Sequence, residues 1–297
     1  MHRPARSRLA AGVIAALAVV ALAGCATAAP SASGEPESSS AHEGDTRVAV
    51  AYDGGIVVLD GETLETVDSA ELDGFLRVNP AGDHDGHVFV TAADGFHVLD
   101  TGLASDTVEF TGEVFDAVTP GHATPHAGRT ALFDDGTGDV TLFDTDAVGT
   151  GTLPESQTVE SEAAHHGVAI ELSDGTLLST IGTSESRSGV RLLADDGSEL
   201  ARDEQCPGVH GEGALKGETI VFGCEDGVLV FADGAFTKLD APDAFGRSGN
   251  AYVTDTSAIA ALDYKSDPDQ EGYLLSQLAL VDLSLIHISE PTRPLYI

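Results

Sequence analysis

The chain has 297 residues, of which 42% are hydrophobic, and it contains 34 Gly, three Cys, one Met and no Trp. This apolar content is sufficient for a hydrophobic core, so a chain that is disordered throughout is excluded. Fourteen Lys and Arg stand against 49 Asp and Glu, which gives a formal net charge of −35. Nucleic acid is therefore a poor partner, because phosphate backbones are bound by basic surfaces, whereas an acidic surface favours cations.

The first 25 residues have the pattern of an export signal. Three Arg lie within residues 1–8, an apolar run follows from Leu9 to Ala23, and the segment ends at Cys25 after Leu-Ala-Gly. This pattern resembles a bacterial lipoprotein signal, in which Cys25 would be lipidated, and an ordinary cleaved signal is the alternative. We predict an exported protein, anchored by lipid to the outer face of the cytoplasmic membrane or in the periplasm and otherwise not in contact with membrane. Residues 26–45, rich in Ser and Glu, are predicted to form a flexible tether.

Residues 46–282 consist of short β-branched and apolar runs separated by Gly-containing turns, which is typical of strands. The clearest runs are Arg47–Tyr52, Gly55–Leu59, His87–Thr91, Val140–Phe143, Gly167–Leu172, Thr219–Phe222 and Val228–Phe231. An Asp-Gly pair with a following apolar run recurs at residues 53, 94, 135, 174 and 226, at steps of 41, 41, 39 and 52. A period near 40 without helices predicts an all-β fold, a β-propeller of four-stranded blades. Residues 46–282 hold about five to six blades of the seven or eight expected in a closed ring, so the ring is predicted to be incomplete.

Histidines follow the same period. His84, His126, the pair His165-His166 and His210 recur at steps of 42, 39 or 40, and 44 or 45. Equivalent positions of successive blades converge on the central channel, and convergent neutral imidazoles are ligands for zinc, although copper and nickel also accept them. We predict a zinc site at the channel mouth, with His126 and His166 ranked first and His210 next. His122 and His165 are alternates, and Asp or Glu completes the shell.

Cys206 and Cys224 are the two thiols that remain after Cys25, and they flank the segment that carries His210. In an exported protein a disulfide is the default, and it would brace His210. Thiolate ligation of zinc is the alternative.

Residues 283–293 read LSLIHISEPTR, which resembles the in-frame translation of a transposon-end sequencing adapter. We therefore expect residues 283–297 to be an artefact that adds no blade strand in register, with the natural protein continuing beyond Asp282. A genuine apolar tail is the alternative.

The sequence contains no signature of a known catalytic site, neither a G-x-S-x-G nor an H-E-x-x-H nor a P-loop. We predict that the protein is not an enzyme. A lipid-anchored propeller scaffold that binds a protein or a glycan without metal is the main alternative function, and a propeller lyase or hydrolase is a third.

Three segments, Pro120–Asp144, Glu162–Leu178 and Cys206–Phe231, resemble the AztD family of zinc metallochaperones, and the resemblance extends over residues 46–282. It implies a β-propeller outside the cytoplasm that delivers zinc to the substrate-binding protein of a zinc ABC transporter. It also implies zinc ligands near the channel, here His122, His126, His165, His166 and His210, and it agrees with a disulfide between Cys206 and Cys224. Family members can carry a His-rich N-terminal segment, whereas the tether here has only His42.

Overall fold

The computed structural model describes residues 46–270, 277–284 and 295–296, which all belong to one of the two units into which the chain divides. The predictions for the signal peptide and the tether lie outside these residues. The described strands form six sheets that follow one another along the chain, antiparallel except for one short parallel pairing in the fifth. Two short 3-10 helices, Thr145–Ala147 and Pro268–Gln270, interrupt them. None of the described helices is long and apolar enough to cross a membrane. The predicted all-β propeller is confirmed, with six blades.

The first three sheets contain the strands up to residue 159. The first sheet is formed by β1 (Arg47–Tyr52), β2 (Gly55–Asp60) and β3 (Thr66–Glu71). The second is formed by β4 (Arg77–Pro80), β5 (His87–Ala92), β6 (Gly95–Thr101) and β7 (Val108–Asp116). The third is formed by β8 (Pro120–His126), β9 (Arg129–Asp134), β10 (Val140–Asp144) and β11 (Ser156–Val159).

The other three sheets contain the remaining described strands. The fourth is formed by β12 (Ala169–Glu171), β13 (Leu177–Gly182), β14 (Arg187–Leu193) and β15 (Glu199–Asp203). The fifth is formed by β16 (His210–Leu215), β17 (Thr219–Cys224), β18 (Asp226–Ala232) and β19 (Ala235–Asp240), with β20 (Gly246–Arg247) beside β18. The sixth is formed by β21 (Ala251–Tyr252), β22 (Ile259–Tyr264), β23 (Gln277–Asp282) and β24 (Leu295–Tyr296).

The hydrophobic core lies between the sheets, in five clusters that each join one sheet to the next. Strand β17 shows why the sequence packs in this way. Ile220 and Phe222 contact the fourth sheet, whereas Val221 between them contacts the sixth, because successive side chains of a strand point to opposite faces. All three are 0% exposed, and full burial of each such side chain contributes about 1.5–3 kcal/mol. A strand that is buried on both faces therefore reads as a continuous apolar run.

The first strands of neighbouring sheets lie side by side, β4 against β8, β8 against β12 and β16 against β21. Between them is a cavity of about 1030 Å³, lined among others by Asn79, Thr124, His126, Glu212 and Tyr252. We call it the channel cavity.

Two details of the strand order differ from expectation. The Asp-Gly turns join the second and third strands in sheets two, three and five, but Asp174-Gly175 joins the first two strands of sheet four. The Asp-Gly turns therefore recur with the period of the blades, but they do not always connect the same two strands of a blade. The expectation that nothing after Ser284 extends a blade was wrong, since Leu295 and Tyr296 pair with Leu280 and Ala279 as the last strand of sheet six.

The predicted disulfide is present. Cys206 and Cys224 are bonded, with their Cα atoms 4.9 Å apart. Because both sulfurs are engaged with each other and are fully buried, neither is available as a thiolate ligand. The bond ties the loop that precedes β16 to the end of β17.

Candidate metal centre

Three histidines lie at the same end of three consecutive first strands. His122 is the third residue of β8, His166 immediately precedes the segment that leads into β12, and His210 begins β16. A bulge follows His210, where Gly211 has φ +61° and a Cβ would lie 2.4 Å from the carbonyl oxygen of Gly249. Only glycine fits there, because other residues avoid a positive φ and add a side chain. The propeller thus brings together side chains that are 44 residues apart in sequence at each step.

The imidazole rings are in mutual contact. The ring centroids of His122 and His166 are 5.3 Å apart, those of His122 and His210 are 5.2 Å apart, and those of His166 and His210 are 4.9 Å apart. One nitrogen from each ring lies within 4.8 Å of the corresponding nitrogens of the other two. Zinc–nitrogen bonds of about 2.0–2.1 Å need ligand nitrogens that are slightly closer than this. Small side-chain rotations therefore suffice to close the rings around one ion.

In two of the three rings the second nitrogen is hydrogen-bonded to an oxygen acceptor. The Nδ1 of His166 donates to Asp135 Oδ2 at 2.5 Å, and the Nδ1 of His210 donates to the carbonyl oxygen of Gly249 at 2.5 Å. The Nδ1 of His122 lies 4.0 Å from Glu212 Oε2. Such acceptors fix the tautomer and the orientation of metal-ligating imidazoles. This leaves Nε2 of His166 and Nε2 of His210 as ligand atoms.

The Nε2 of His122 supports this assignment directly. It is buried and has no hydrogen-bond partner among the described residues. A buried polar nitrogen without a partner costs free energy, so such an atom in a native protein indicates a group that a bound species satisfies. A metal ion between the three rings would satisfy it.

The surroundings keep two of the rings neutral. Burial lowers the pKa of His122 to about 3, with further contributions from the positive charges of His210, His166, Arg77 and Arg187. Burial likewise lowers the pKa of His210 to about 4, against the hydrogen bond to Gly249, which raises it. Since only neutral imidazole binds a metal, both rings are ready ligands at physiological pH.

We expect zinc affinity to depend only weakly on pH between about pH 7 and about pH 5. If all three imidazoles had an ordinary pKa, their protonation would lower the zinc affinity by up to about a thousandfold per pH unit below about pH 6.5. The lowered pKa of His122 and of His210 means that these two rings are protonated only in more acidic solution, so neither weakens zinc binding in this range. Chelator competition at a series of pH values measures the slope. A hundredfold to thousandfold loss of zinc affinity per pH unit would contradict the conclusion that His122 and His210 are both neutral in this range.

The structure does not bring His126 into this cluster, although the sequence pattern ranked it first, with His166, among the predicted zinc ligands. It lies four residues beyond His122 on β8, about 13 Å away along an extended strand. Both side chains share one face of β8, yet they cannot reach the same ion. The Nε2 of His126 instead pairs with Glu218 Oε1 at 2.9 Å, in the channel cavity. The expected trio of His126, His166 and His210 is therefore corrected to His122, His166 and His210.

His165 also lies outside the cluster, although it adjoins His166 in sequence. Its side chain is buried, its Nδ1 lies 2.9 Å from the carbonyl oxygen of Ala163 and its Nε2 lies 3.1 Å from Thr180 Oγ1. Both ring nitrogens are thus used within the blade. His84, which follows the same period, is exposed.

Two functional residues were missed by the sequence argument. Asp135 belongs to an Asp-Gly pair, which turn chemistry alone explains, but its carboxylate orients His166 from the neighbouring blade. Glu212 is buried beside His122, and burial raises the pKa of its carboxyl group. One local signal was available, since Pro120-Gly121 shortly precedes His122 as Pro207-Gly208 shortly precedes His210.

Comparisons with known proteins agree with this architecture. The chain is 30% identical over 114 residues to the zinc chaperone AztD of Citrobacter koseri, a match that covers 37% of this chain and 27% of AztD. The structure of apo AztD from C. koseri superimposes with a TM-score of 0.62 at 20% identity, over 80% of this chain and 67% of that one. The expected resemblance to AztD is confirmed.

A further C. koseri AztD structure gives a TM-score of 0.56 at 18% identity, over 84% of this chain and 81% of AztD. At these identities the structural likeness concerns the fold, and the curated match spans about a quarter of AztD. No family model matches the chain.

Proposed function

We propose that this protein is a zinc metallochaperone that holds one zinc ion through His122, His166 and His210. The observation that carries the proposal is the convergence of three imidazoles. In two of them Nδ1 is hydrogen-bonded to an oxygen acceptor, and in the third, His122, Nε2 is buried without a partner among the described residues. The name of AztD, a zinc chaperone, supports the same cargo.

The ligand set suits zinc and suits its transfer. Borderline-soft Zn²⁺ favours neutral imidazole and a tetrahedral shell, so three imidazoles leave one coordination position open. An acceptor can supply a ligand at that position before the chaperone releases its own. A site with four protein ligands would be closed to such an exchange.

The acceptor in this proposal is the substrate-binding protein of a zinc ABC transporter. In this proposal both proteins lie outside the cytoplasm, in keeping with the export signal expected in residues 1–25, and this one is held at the membrane by lipid on Cys25. No catalytic step is part of the proposal, since transfer needs only ligand exchange.

Titration of the purified protein with zinc against a competing chelator tests the first part. We expect one zinc per chain, bound tightly enough to compete. Incubation of the zinc-loaded protein with the metal-free acceptor, followed by separation and metal analysis of both, tests delivery. A protein that binds no zinc would instead support a propeller scaffold that acts without metal.

A further inference from the structure

The three-histidine site lies between two open spaces. On one side is the channel cavity. On the other is a pocket of about 530 Å³, lined by His166, by the β13–β14 hairpin at residues 183–187, by Pro207-Gly208 and by Glu225. We call this second space the hairpin pocket. Each of the two is a candidate route by which a zinc ion reaches the imidazoles.

The channel side is closed next to the site. Thr124 Oγ1 on β8 donates to Glu212 Oε1 on β16 at 2.6 Å, a hydrogen bond that joins two first strands. The Glu212 side chain is 9% exposed, and both residues line the channel cavity whereas none of the three site histidines does. The buried hydrogen bond therefore separates the imidazoles from that cavity.

The pocket side is open at one ligand. The side chain of His166 is 34% exposed, against 18% for His122, and His166 itself lines the hairpin pocket. The carboxylates of Glu185 and Glu225 also line this pocket, together with Arg187. With two acidic residues and one basic residue, this lining has a net negative charge, which raises the local concentration of a divalent cation.

We infer that zinc enters and leaves the site through the hairpin pocket, with His166 as the first ligand to bind and the last to release. This inference deepens the proposed function and rests on it. It follows that an acceptor approaches the face of the propeller that carries residues 183–187, and not the face on which the channel cavity opens.

Two matched Trp substitutions test the route. Ser184 is exposed at the tip of the hairpin, and Thr254 is exposed on the wall of the channel cavity. Ser184→Trp places an indole in the hairpin pocket and narrows it. Thr254→Trp places the same side chain in the channel cavity and narrows that space instead. Because the chain has no Trp, the single indole fluorescence of each variant also reports that the altered loop is folded.

The measurement is the rate at which zinc-loaded protein loses zinc to excess chelator, together with the zinc affinity of each variant. We expect Ser184→Trp to slow zinc release several-fold at unchanged affinity, and Thr254→Trp to release zinc at the wild-type rate. Slower release from Thr254→Trp alone, or equal rates in all three proteins, would overturn the route while leaving the proposed function intact. A wild-type protein without zinc affinity would overturn both.

Discussion

Replacing His122 by Ala is expected to weaken zinc binding by more than about a hundredfold, since loss of even an outer partner of a ligand costs about 10–100-fold. His122 contributes a buried Nε2 that has no other partner among the described residues, and its ring touches both of the other rings. Removing it leaves two imidazoles, which hold zinc far less well than three. Competition with a chelator of known affinity measures the change.

The matched control is His126→Ala. His126 lies on the same strand and the same face, and it is also paired with a carboxylate, that of Glu218. We expect this variant to keep wild-type zinc affinity. Equal losses in both variants, or a loss in His126→Ala alone, would contradict the site described above and favour the ranking that the sequence pattern suggested.

Removal of the disulfide, by the double substitution Cys206→Ala and Cys224→Ala, is expected to lower the free energy of unfolding by about 3 kcal/mol. The bond closes a loop of 18 residues, and its main effect is to limit the conformations of the unfolded chain. Zinc affinity should fall as well, because the bond fixes the loop that leads into His210. Urea unfolding of the zinc-free protein measures the first effect, and chelator competition measures the second.

Reductant provides the control for this variant. It should move the urea midpoint of the wild-type protein toward that of the double variant, and it should leave the variant unchanged. A wild-type midpoint that equals that of the variant under oxidising conditions would show that the bond adds no stability.

The sequence by itself determined the class of fold and its repeat. Buried strands read as continuous apolar runs such as Thr219–Cys224, because both faces of a blade pack against neighbouring blades. The disulfide could also be predicted from the sequence, since two thiols in a chain that is expected to be exported have few alternatives. The histidine period indicated that imidazoles from successive blades come together, and those of His122, His166 and His210 do so. His122, however, lies four residues before the position that the period marked.

Only the tertiary structure decided which imidazoles meet. His122 and His126 share one loop-like sequence segment, but in the fold both lie on β8, where four residues separate them by about 13 Å. His165 and His166 are neighbours in sequence and both precede β12, yet the side chain of His165 bonds within the blade and that of His166 belongs to the site. The repeat period of the sequence identifies the blade to which a residue belongs. Its position along the strand and the face of the sheet on which its side chain lies depend on the register of strand pairing. Register follows from pairing and from bulges such as that at Gly211, which distant residues determine.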